Sequence, residues 1–280
     1  MRQSSRQSGL KFSQFLTKQI LDGEFSSKQM KYAAKIMLNL NDAQNIKSLE
    51  KFCLSNLELK NSNLYPALVV LHEITKANAE FYSNNYQKLI KLFSQLLETG
   101  PSQSKEEIIS EVSMCKKQLL ATHHKCLFNE APFFGMKEDM LERRKHLFNL
   151  SVQILLNSSG MGPGLSKDNQ DYVRLYAMKY IFRLSEETFS QNEEGFFNEE
   201  FYAKLSLIAL DENELVRKVL AARIIEAVSK GGRKIDDKYI VFLFFNVLDV
   251  KKELQELQEN YLKACFNNPK AKTRRSGGNS

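Results

Sequence analysis

A valine-arginine pair recurs 43 residues apart in this chain, first at Val173-Arg174 and again at Val216-Arg217. At both places acidic residues precede the pair, and a run of apolar residues at helical spacing follows it. Repeat proteins built from helical hairpins have periods of roughly 40–47 residues. The recurrence therefore predicts a stack of paired helices instead of one closed globular core.

The scarcity of helix-breaking residues and the spacing of apolar residues in the rest of the sequence support this prediction. Only 12 Gly and 5 Pro occur in 280 residues, and long segments run without a helix-breaking residue. Apolar spacing of three and four predicts helices over 10–21, 27–40, 43–58, 64–77, 80–98, 104–128, 139–157, 171–189, 198–210, 213–230, 235–249 and 251–266. Residues 239–248 have strand-like composition but no hairpin partner, so we predict a buried helix there. The expected fold is all-α: a HEAT/armadillo-like α-solenoid of about six helix pairs in a curved, right-handed stack.

The recurrent arginines have a structural interpretation. The second helix of a repeat begins with unsatisfied N–H groups, and an aspartate at the turn can accept hydrogen bonds from them. An arginine on that helix can then donate to carboxylates or carbonyls of the turn. We therefore predict structural roles for Asp171, Arg174, Asp211 and Arg217. Binding of a ligand by these arginines is the alternative.

The net charge of +7 is confined to the two ends of the chain. Residues 1–11 and 270–280 contain seven basic residues and no acid, which leaves 33 basic against 33 acidic residues between them. We therefore expect a basic N-terminal arm and leading helix over 1–25, a helical repeat domain over 26–268, and a disordered basic tail over 269–280. Such tails would add weak, salt-sensitive attraction to DNA or acidic partners. The first residues are also compatible with a mitochondrial transit peptide, which the sequence leaves open.

Two basic clusters within the repeat domain are candidates for contact with a partner or a polyanion. One lines a single face of the predicted helix 27–40 at three and four spacing, and the other lies in the sequence ERRKH at 142–146. Most such clusters are solvated helix faces, and that interpretation stays open beside the functional one. The residues concerned are Lys28, Lys31, Lys35, Arg143, Arg144 and Lys145.

No motif indicates catalysis or cofactor binding. The sequence CKKQLLATHHKC contains two cysteines and two histidines, namely Cys115, His123, His124 and Cys126. A helix would turn the histidines away from the face that carries the cysteines. We therefore predict that both histidines lie at the surface and that these residues form no metal site. The glycine-rich stretch at 160–164 lacks the residues of a phosphate-binding loop. We expect no enzyme activity, cofactor or small-molecule substrate. The longest apolar run is about half of the ~20 residues that a membrane-spanning helix needs, so we expect no membrane segment.

Several segments in collinear order resemble one protein family. They are SSKQMKYAAKIMLNL at 26–40, NLYPALVVLHEITKANAEFYSNNYQKLI at 63–90, DYVRLYAMKYIFRLSEETF at 171–189, FYAKLSLIALDENELVRKVLAARIIEAVSK at 201–230, and YIVFLFFNVLDVKKELQELQENYLKACFNN at 239–268. Together they are similar to the later helical repeats of the Pds (precocious dissociation of sisters) family of cohesin regulators. Members of that family are longer, so we expect a fragment or a reduced member. At 77–79 this chain has Ala-Asn-Ala, where the family pattern is nearer Ala-Pro-Asp.

The resemblance implies a non-enzymatic scaffold in the nucleus, associated with chromosomes. It implies cohesin subunits or cohesin-associated factors as partners, and a role in the maintenance and release of sister-chromatid cohesion and in chromosome segregation. We assign no binding residue by resemblance, because the family's kleisin contacts lie largely in other repeats. Two alternatives remain: a generic HEAT/armadillo adaptor in nuclear transport or complex assembly, and a helical repeat that binds nucleic acid.

Overall fold

The computed structural model describes residues 2–99, 111–128, 138–156, 166–189, 199–211, 213–229 and 241–243, and the isolated positions 252, 255, 256 and 259. Within these residues the regular structure is helical and no strand occurs, so the all-α, HEAT-like prediction is confirmed. The helices are α1 (Arg2–Leu21), α2 (Ser27–Leu40), α3 (Ala43–Ser55), α4 (Leu64–Ala77), α5 (Ala79–Glu98), α6 (Glu111–Phe128), α7 (Glu138–Leu156), α8 (Lys167–Phe189), α9 (Glu199–Ala209) and α10 (Glu214–Ser229).

The chain divides into two compact units. The first comprises Met1–Leu147 and Asn157–Tyr176, and the second comprises Phe148–Leu156 and Ala177–Ser280. In the first unit α1 packs on α2, α3 on α4, and α5 on α6, as expected for helical hairpins. The second helix of each hairpin also packs on that of the next, so α2, α4 and α6 lie side by side. We call these three helices the even row.

Short polar turns connect these helices and cap their ends. Gly23 has a φ of 74°, which a residue without a Cβ adopts at little cost, in the turn between α1 and α2. Ser26 then forms a capping box with Gln29, in which each side chain bonds the other residue's backbone N–H. Asp42 caps α3 by accepting from the N–H of Asn45. These local bonds fix where each helix begins.

Asn78 alone connects α4 to α5. It ends α4 in an extended conformation, and its side chain accepts a hydrogen bond of 3.0 Å from the backbone N–H of Phe81. Asparagine is among the best N-cap residues because its short side chain reaches the exposed N–H groups of the first turn. The Ala-Asn-Ala sequence at 77–79 therefore makes a one-residue connection between two helices.

The core of the first unit surrounds α4, which lies between α2 and α6 in the even row. Most of its side chains are buried, and each buried aliphatic side chain contributes about 1.5–3 kcal/mol relative to exposure. The fully buried residues of this core include Met37, Leu49, Leu68, Val70, Leu71, Ile74, Leu89, Leu119 and Leu120. This continuous burial explains why the sequence of α4 is almost uniformly apolar.

In the second unit α9 and α10 form a hairpin. The buried residues of α10 recur at intervals of about one helical turn: Val216, Leu220, Ala221 and Ile224. Tyr202 of α9 stacks on Phe242, with the ring centres 6.5 Å apart. The packing of this hairpin follows the apolar periodicity from which it was predicted.

Most predicted helix boundaries agree with the structure within about three residues, but α1 begins earlier. The helix starts at Arg2 and not at residue 10, so the basic arm is part of the leading helix. Its polar residues have no apolar periodicity, which is why the sequence pattern gave no signal. The predicted helix 235–249 lies outside the described residues except for 241–243, which are helical. The boundaries proposed at residues 25 and 268 stay predictions. Among the described helices, none is both long and apolar enough to span a membrane.

Candidate interaction surface on the even row

Both sets of helices in the first unit carry a net positive charge. The even row contains seven lysines and two glutamates, and α1, α3 and α5 together contain six lysines, two arginines and three glutamates. One of the seven, Lys116, is fully buried and donates to the backbone carbonyl of Thr99 at 3.1 Å. Burial lowers the pKa of Lys116 to about 8. The other six lysines of the even row are at least partly exposed, and we call these six residues together the basic row face.

The C-terminal half of this face has a histidine at its centre. His72 of α4 is half-buried, and its Nδ1 lies 3.0 Å from Oγ1 of Thr122 on α6. The threonine hydroxyl donates to the carbonyl of Gln118, so its oxygen is left to accept from Nδ1–H. This contact connects α4 to α6 through Nδ1 of the imidazole, and the other ring nitrogen, Nε2, takes no part in it.

Three lysines from three different helices act on this imidazole. Burial lowers the pKa of His72 to about 4; the charge of Glu73 opposes that effect, while the charges of Lys76, Lys31 and Lys125 add to it. Lys76 also pairs with the buried Glu73 at 2.8 Å. We call the group formed by Lys31, His72, Lys76 and Lys125 the His72 centre. Its positive charges come from α2, α4 and α6 together.

The N-terminal half of the face has a lysine among three tyrosines. Lys117 of α6 donates a hydrogen bond of 3.0 Å to the hydroxyl of Tyr172, and its Nζ lies 4.3 Å from the ring centre of Tyr176. Burial raises the pKa of Tyr65 on α4, and the charge of Lys117 opposes that effect. We call these four residues the Lys117 centre.

The electrostatics of the Lys117 centre favour the charged lysine. Burial by itself would lower the pKa of Lys117, but its hydrogen bonds and charge interactions with Tyr172 and Tyr176 outweigh burial and raise it. An ammonium group over an aromatic ring is attracted by the negative face of the ring. The side chain is thus held in place as a cation at neutral pH.

The lysines predicted on α2 lie along one side of that helix. Lys28 and Lys31 are exposed, and Lys35 is half-buried with its Nζ 6.0 Å from the ring centre of Tyr32. Lys31 belongs to the His72 centre. The structure therefore places this predicted cluster on the basic row face, although it does not test what the cluster binds.

The second predicted cluster, on α7, does not form one surface. Arg144 is buried, with 1 % of its side chain exposed, so the prediction that it contacts a partner is wrong. Adjacent residues on a helix point about 100° apart, which sends Arg144 inward while Lys145 stays exposed. Arg143 packs over the ring of Tyr86 at 4.5 Å and pairs with Asp139 at 2.9 Å. Only Lys145 of the three is fully available at the surface.

The prediction of two surface histidines is also wrong. His123 and His124 are both buried, with 0 % and 2 % exposed. The hydroxyl of Tyr82 lies 2.8 Å from Nδ1 of His123, and the rings of Tyr86 and Phe93 surround the imidazole. Burial lowers the pKa of His123 to about 3, so it is neutral in the folded chain. Within the described residues, no group of three or more acidic, histidine or cysteine side chains could hold a metal ion.

The two arginines of the 43-residue recurrence make different contacts. Arg217 donates from Nη1 to the backbone carbonyl of Asp211, across the turn that precedes α10. Arg174 instead pairs with Asp171 at 3.1 Å within α8, where both side chains are buried. Because α8 begins at Lys167, Asp171 lies inside the helix and not at the turn, which corrects the predicted geometry of this pair.

Other candidate features fall outside the described residues. These are the glycine-rich stretch 160–164 and the tail 269–280. The basic row face was itself missed from the sequence, because an equal number of acids and bases between the tails suggested a neutral body. The signal that could have found it is the absence of acids in α2 and their near absence in α6.

Comparison with known proteins gives one positive result. A family model described as sister chromatid cohesion protein PDS5 matches residues 1–277. The match extends beyond residues 26–268, for which the segments quoted above indicated the resemblance. A comparison with curated proteins gave no match.

Proposed function

Because the chain belongs to the PDS5 family of sister chromatid cohesion proteins, and so has a cohesion-related role, we propose that it acts as a non-enzymatic scaffold that regulates cohesion through protein–protein contacts. We further propose that it does so in the nucleus, associated with chromosomes and with cohesin subunits. The family match carries this proposal. The paired helices support it, since such stacks present long surfaces for partners.

The basic row face is the surface best suited to those contacts. Its lysines come from three neighbouring helices, and the two glutamates of these helices are few against them. Charge of one sign over a continuous surface raises the association rate with a partner of opposite charge and excludes like-charged partners. We place the cohesin contact on this face, with Lys28, Lys31 and Lys35 among the contributing residues.

A reconstitution experiment tests the proposal. The purified chain is mixed with a reconstituted cohesin complex, and co-elution in size-exclusion chromatography is measured. We expect co-elution, and we expect replacement of Lys28, Lys31 and Lys35 by Gln to reduce it. The matched control replaces Lys47, Lys51 and Lys91, on α3 and α5, by Gln and should bind normally. Absence of co-elution with the unaltered chain would reject a direct cohesin scaffold, and binding to transport factors instead would favour the adaptor alternative.

Contact with DNA is a separate part of the proposal. We propose that the basic ends supply weak, salt-sensitive attraction, with Arg2, Arg6 and Lys11 at one end and residues 270–280 at the other. Deletion of residues 1–11 and 269–280 should then abolish DNA binding in a mobility-shift assay. Binding that persists after the deletion would show that the helical body itself contacts nucleic acid.

A further inference from the structure

Helix α2 carries a row of exposed apolar side chains. Tyr32, Ile36 and Leu40 follow one another at intervals of four residues, which places them along one side of the helix, and 53, 40 and 43 % of their respective surfaces are exposed. We call these three residues the α2 stripe. At 1.5 Å per residue the stripe is about 12 Å long, or about two helical turns. The side of α2 that packs into the first unit is a different one and consists of buried residues: Met30, Ala33, Ala34 and Met37.

The leading helix borders one end of the α2 stripe. Thr17 of α1 lies 3.7 Å from the sulfur of Met37, so α1 packs beside the C-terminal half of α2. A Cβ placed on Gly9 would lie 4.0 Å from Cδ2 of Leu40, and no other atom of a different helix would lie within 4 Å of it. Glycine favours helix less than alanine does, but at this position it leaves open the space next to Leu40. The stripe therefore ends against α1 without being covered by it.

A row of lysines adjoins the α2 stripe on the same helix. Lys28 and Lys31 are exposed and Lys35 is half-buried, and we call these three residues the lysine row. The Nζ of Lys35 lies 6.0 Å from the ring centre of Tyr32, so the lysine row directly borders the stripe. None of the three lysines forms an ion pair with another described residue. Helices α1 and α2 together contain seven basic residues and no acid, so neither helix supplies a carboxylate to neutralise the row.

These two rows together select the chemistry of an occupant. Contiguous exposed apolar side chains mark contact surfaces, whereas single ones do not. A helix laid along α2 can bury its own apolar row against the stripe, as helices do when they bind in grooves. Carboxylates along one edge of that helix would then face the lysine row, and opposite charges across an interface fix its orientation.

Other occupants fit less well. A second copy of the chain that used the same surface would bring two lysine rows together, and like charges weaken association. A membrane-surface helix inserts its main apolar face into lipid, but that face of α2 is buried in the first unit. The phosphates of a nucleic acid would be attracted by the lysines but would gain nothing from the apolar stripe.

We propose that the α2 stripe binds an amphipathic helix of a partner protein, with the apolar residues of that helix on the stripe and its acidic residues facing the lysine row. This inference rests on the proposed function in taking the partner to be a protein. It adds the conformation of the partner segment and its pattern, with apolar residues every three or four positions and acids along one edge.

Fluorescence anisotropy with the full chain at neutral pH tests the pattern. The probes are three labelled peptides of about five helical turns: one with leucines along one side and glutamates along the adjacent edge, one with the same composition in scrambled order, and one with lysine in place of each glutamate. We expect the first to bind at least tenfold more tightly than the others, because only it matches both rows. Equal binding of the three peptides, or no binding of the first, would overturn the proposal.

Apolar variants test the location. The double replacement Ile36→Gln with Leu40→Gln should weaken binding of the first peptide at least tenfold, because it removes apolar contact from the stripe. The matched control is Leu59→Gln, an equally exposed leucine in the connection between α3 and α4. Circular dichroism verifies that the variants are folded. If the control weakens binding as much as the double replacement, the peptide does not bind at the stripe and the inference fails.

Charge reversal tests the lysine row with a gain of binding as well as a loss. The double replacement Lys31→Glu with Lys35→Glu should weaken binding of the glutamate peptide about tenfold and strengthen binding of the lysine peptide. The control is Lys47→Glu with Lys51→Glu on α3, which makes the same change in net charge. If the control changes both affinities as much as the row variant does, the attraction is only general charge and the inference is wrong.

Three further measurements test the other occupants. Light scattering over a range of concentrations measures self-association, and sedimentation with phosphatidylcholine–phosphatidylserine vesicles and anisotropy with a single-stranded oligonucleotide measure the other two. We expect Ile36→Gln with Leu40→Gln to change none of these. Loss of a dimer, of vesicle binding or of oligonucleotide binding in this variant would assign the stripe to that occupant and overturn the inference. Peptide binding without cohesin co-elution would leave the inference standing and reject the proposed function, whereas cohesin co-elution without peptide binding would do the reverse.

Discussion

Arg217 donates from its guanidinium to the backbone carbonyl of Asp211, six residues earlier. That carbonyl belongs to the turn between α9 and α10, where the side chain of Asp211 also accepts from the N–H of Asn213 at 2.9 Å. Asn213 in turn accepts from the N–H of Leu215 at the start of α10. The arginine and the two polar residues thus hold the helix end in one hydrogen-bonded arrangement.

We expect Arg217→Ala to destabilise the chain without affecting its partner. The replacement removes a charged donor from a carbonyl at a partly exposed turn, which costs about 1–2 kcal/mol. Thermal unfolding should show a loss of several degrees, while co-elution with cohesin stays normal. Lys91→Ala, which removes one exposed positive charge from another helix, should leave the melting temperature unchanged. Unchanged stability together with lost binding would mean that Arg217 contacts a ligand.

The sequence predicted the helices of the recurrence but not both arginine contacts. Val173 and Val216 are both fully buried, as their shared pattern indicates. Yet Val173 is the seventh residue of α8 and Val216 is the third of α10, so the two pairs occupy different positions in their helices. Which acceptor an arginine reaches depends on where the helix begins. That boundary is set by Ser166, which accepts from the N–H of Asn169, and not by the aspartate.

Asn78→Ala should weaken the connection between α4 and α5. The replacement removes the only side chain that caps α5, and loss of an asparagine N-cap costs about 1 kcal/mol. Urea denaturation followed by circular dichroism measures this change. Asn84→Ala, at an exposed position within α5, should be neutral or slightly stabilising, because alanine favours helix more than asparagine does. Equal effects of the two replacements would contradict the capping role.

The basic row face shows why composition did not predict the candidate site. Counting charges between the tails gives neutrality, but the count does not reveal which helices lie side by side. Lys31, Lys76 and Lys125 are far apart in sequence, and they act on His72 together only because α2, α4 and α6 stack in one row. Helix periodicity predicted the faces of single helices. The stacking that brings lysines of different helices together is a tertiary property.

The buried cysteines should resist thiol reagents in the folded chain. Burial raises the pKa of Cys115 to about 12 and that of Cys53 further still, so neither forms the reactive thiolate at ordinary pH. We expect maleimide labelling of both to be slow in native buffer at pH 8 and fast in urea. Mass spectrometry of the peptides that contain Cys53 and Cys115 distinguishes them from the other thiols. Rapid native labelling of either would show that its helix packing opens readily.

His123 should make the stability of the chain depend on pH. The pKa of His123 is lowered to about 3 by burial, and that of His72 to about 4, whereas an unfolded histidine titrates near 6.5. At pH values between the folded-state and the unfolded-state pKa, the unfolded chain binds protons that the folded chain does not. The contribution of the buried neutral histidines to the free energy of unfolding is therefore complete above about pH 6.5, and it decreases as the pH falls towards the folded-state pKa values. For one buried imidazole the loss at pH 5 is about 2 kcal/mol.

Replacement of His123 isolates its share of this dependence. We expect His123→Phe, which keeps an aromatic ring among Tyr86 and Phe93, to lower stability at pH 7 because Tyr82 loses its hydrogen-bond partner. Between pH 7 and pH 5, however, its unfolding free energy should fall by about 2 kcal/mol less than that of the unaltered chain. Urea denaturation at both pH values gives the two slopes, and Lys145→Gln, which removes an exposed charge but no imidazole, should keep the original slope. If His123→Phe also kept the original slope, the imidazole would have to be as accessible to protons in the folded chain as in the unfolded one, which its complete burial contradicts.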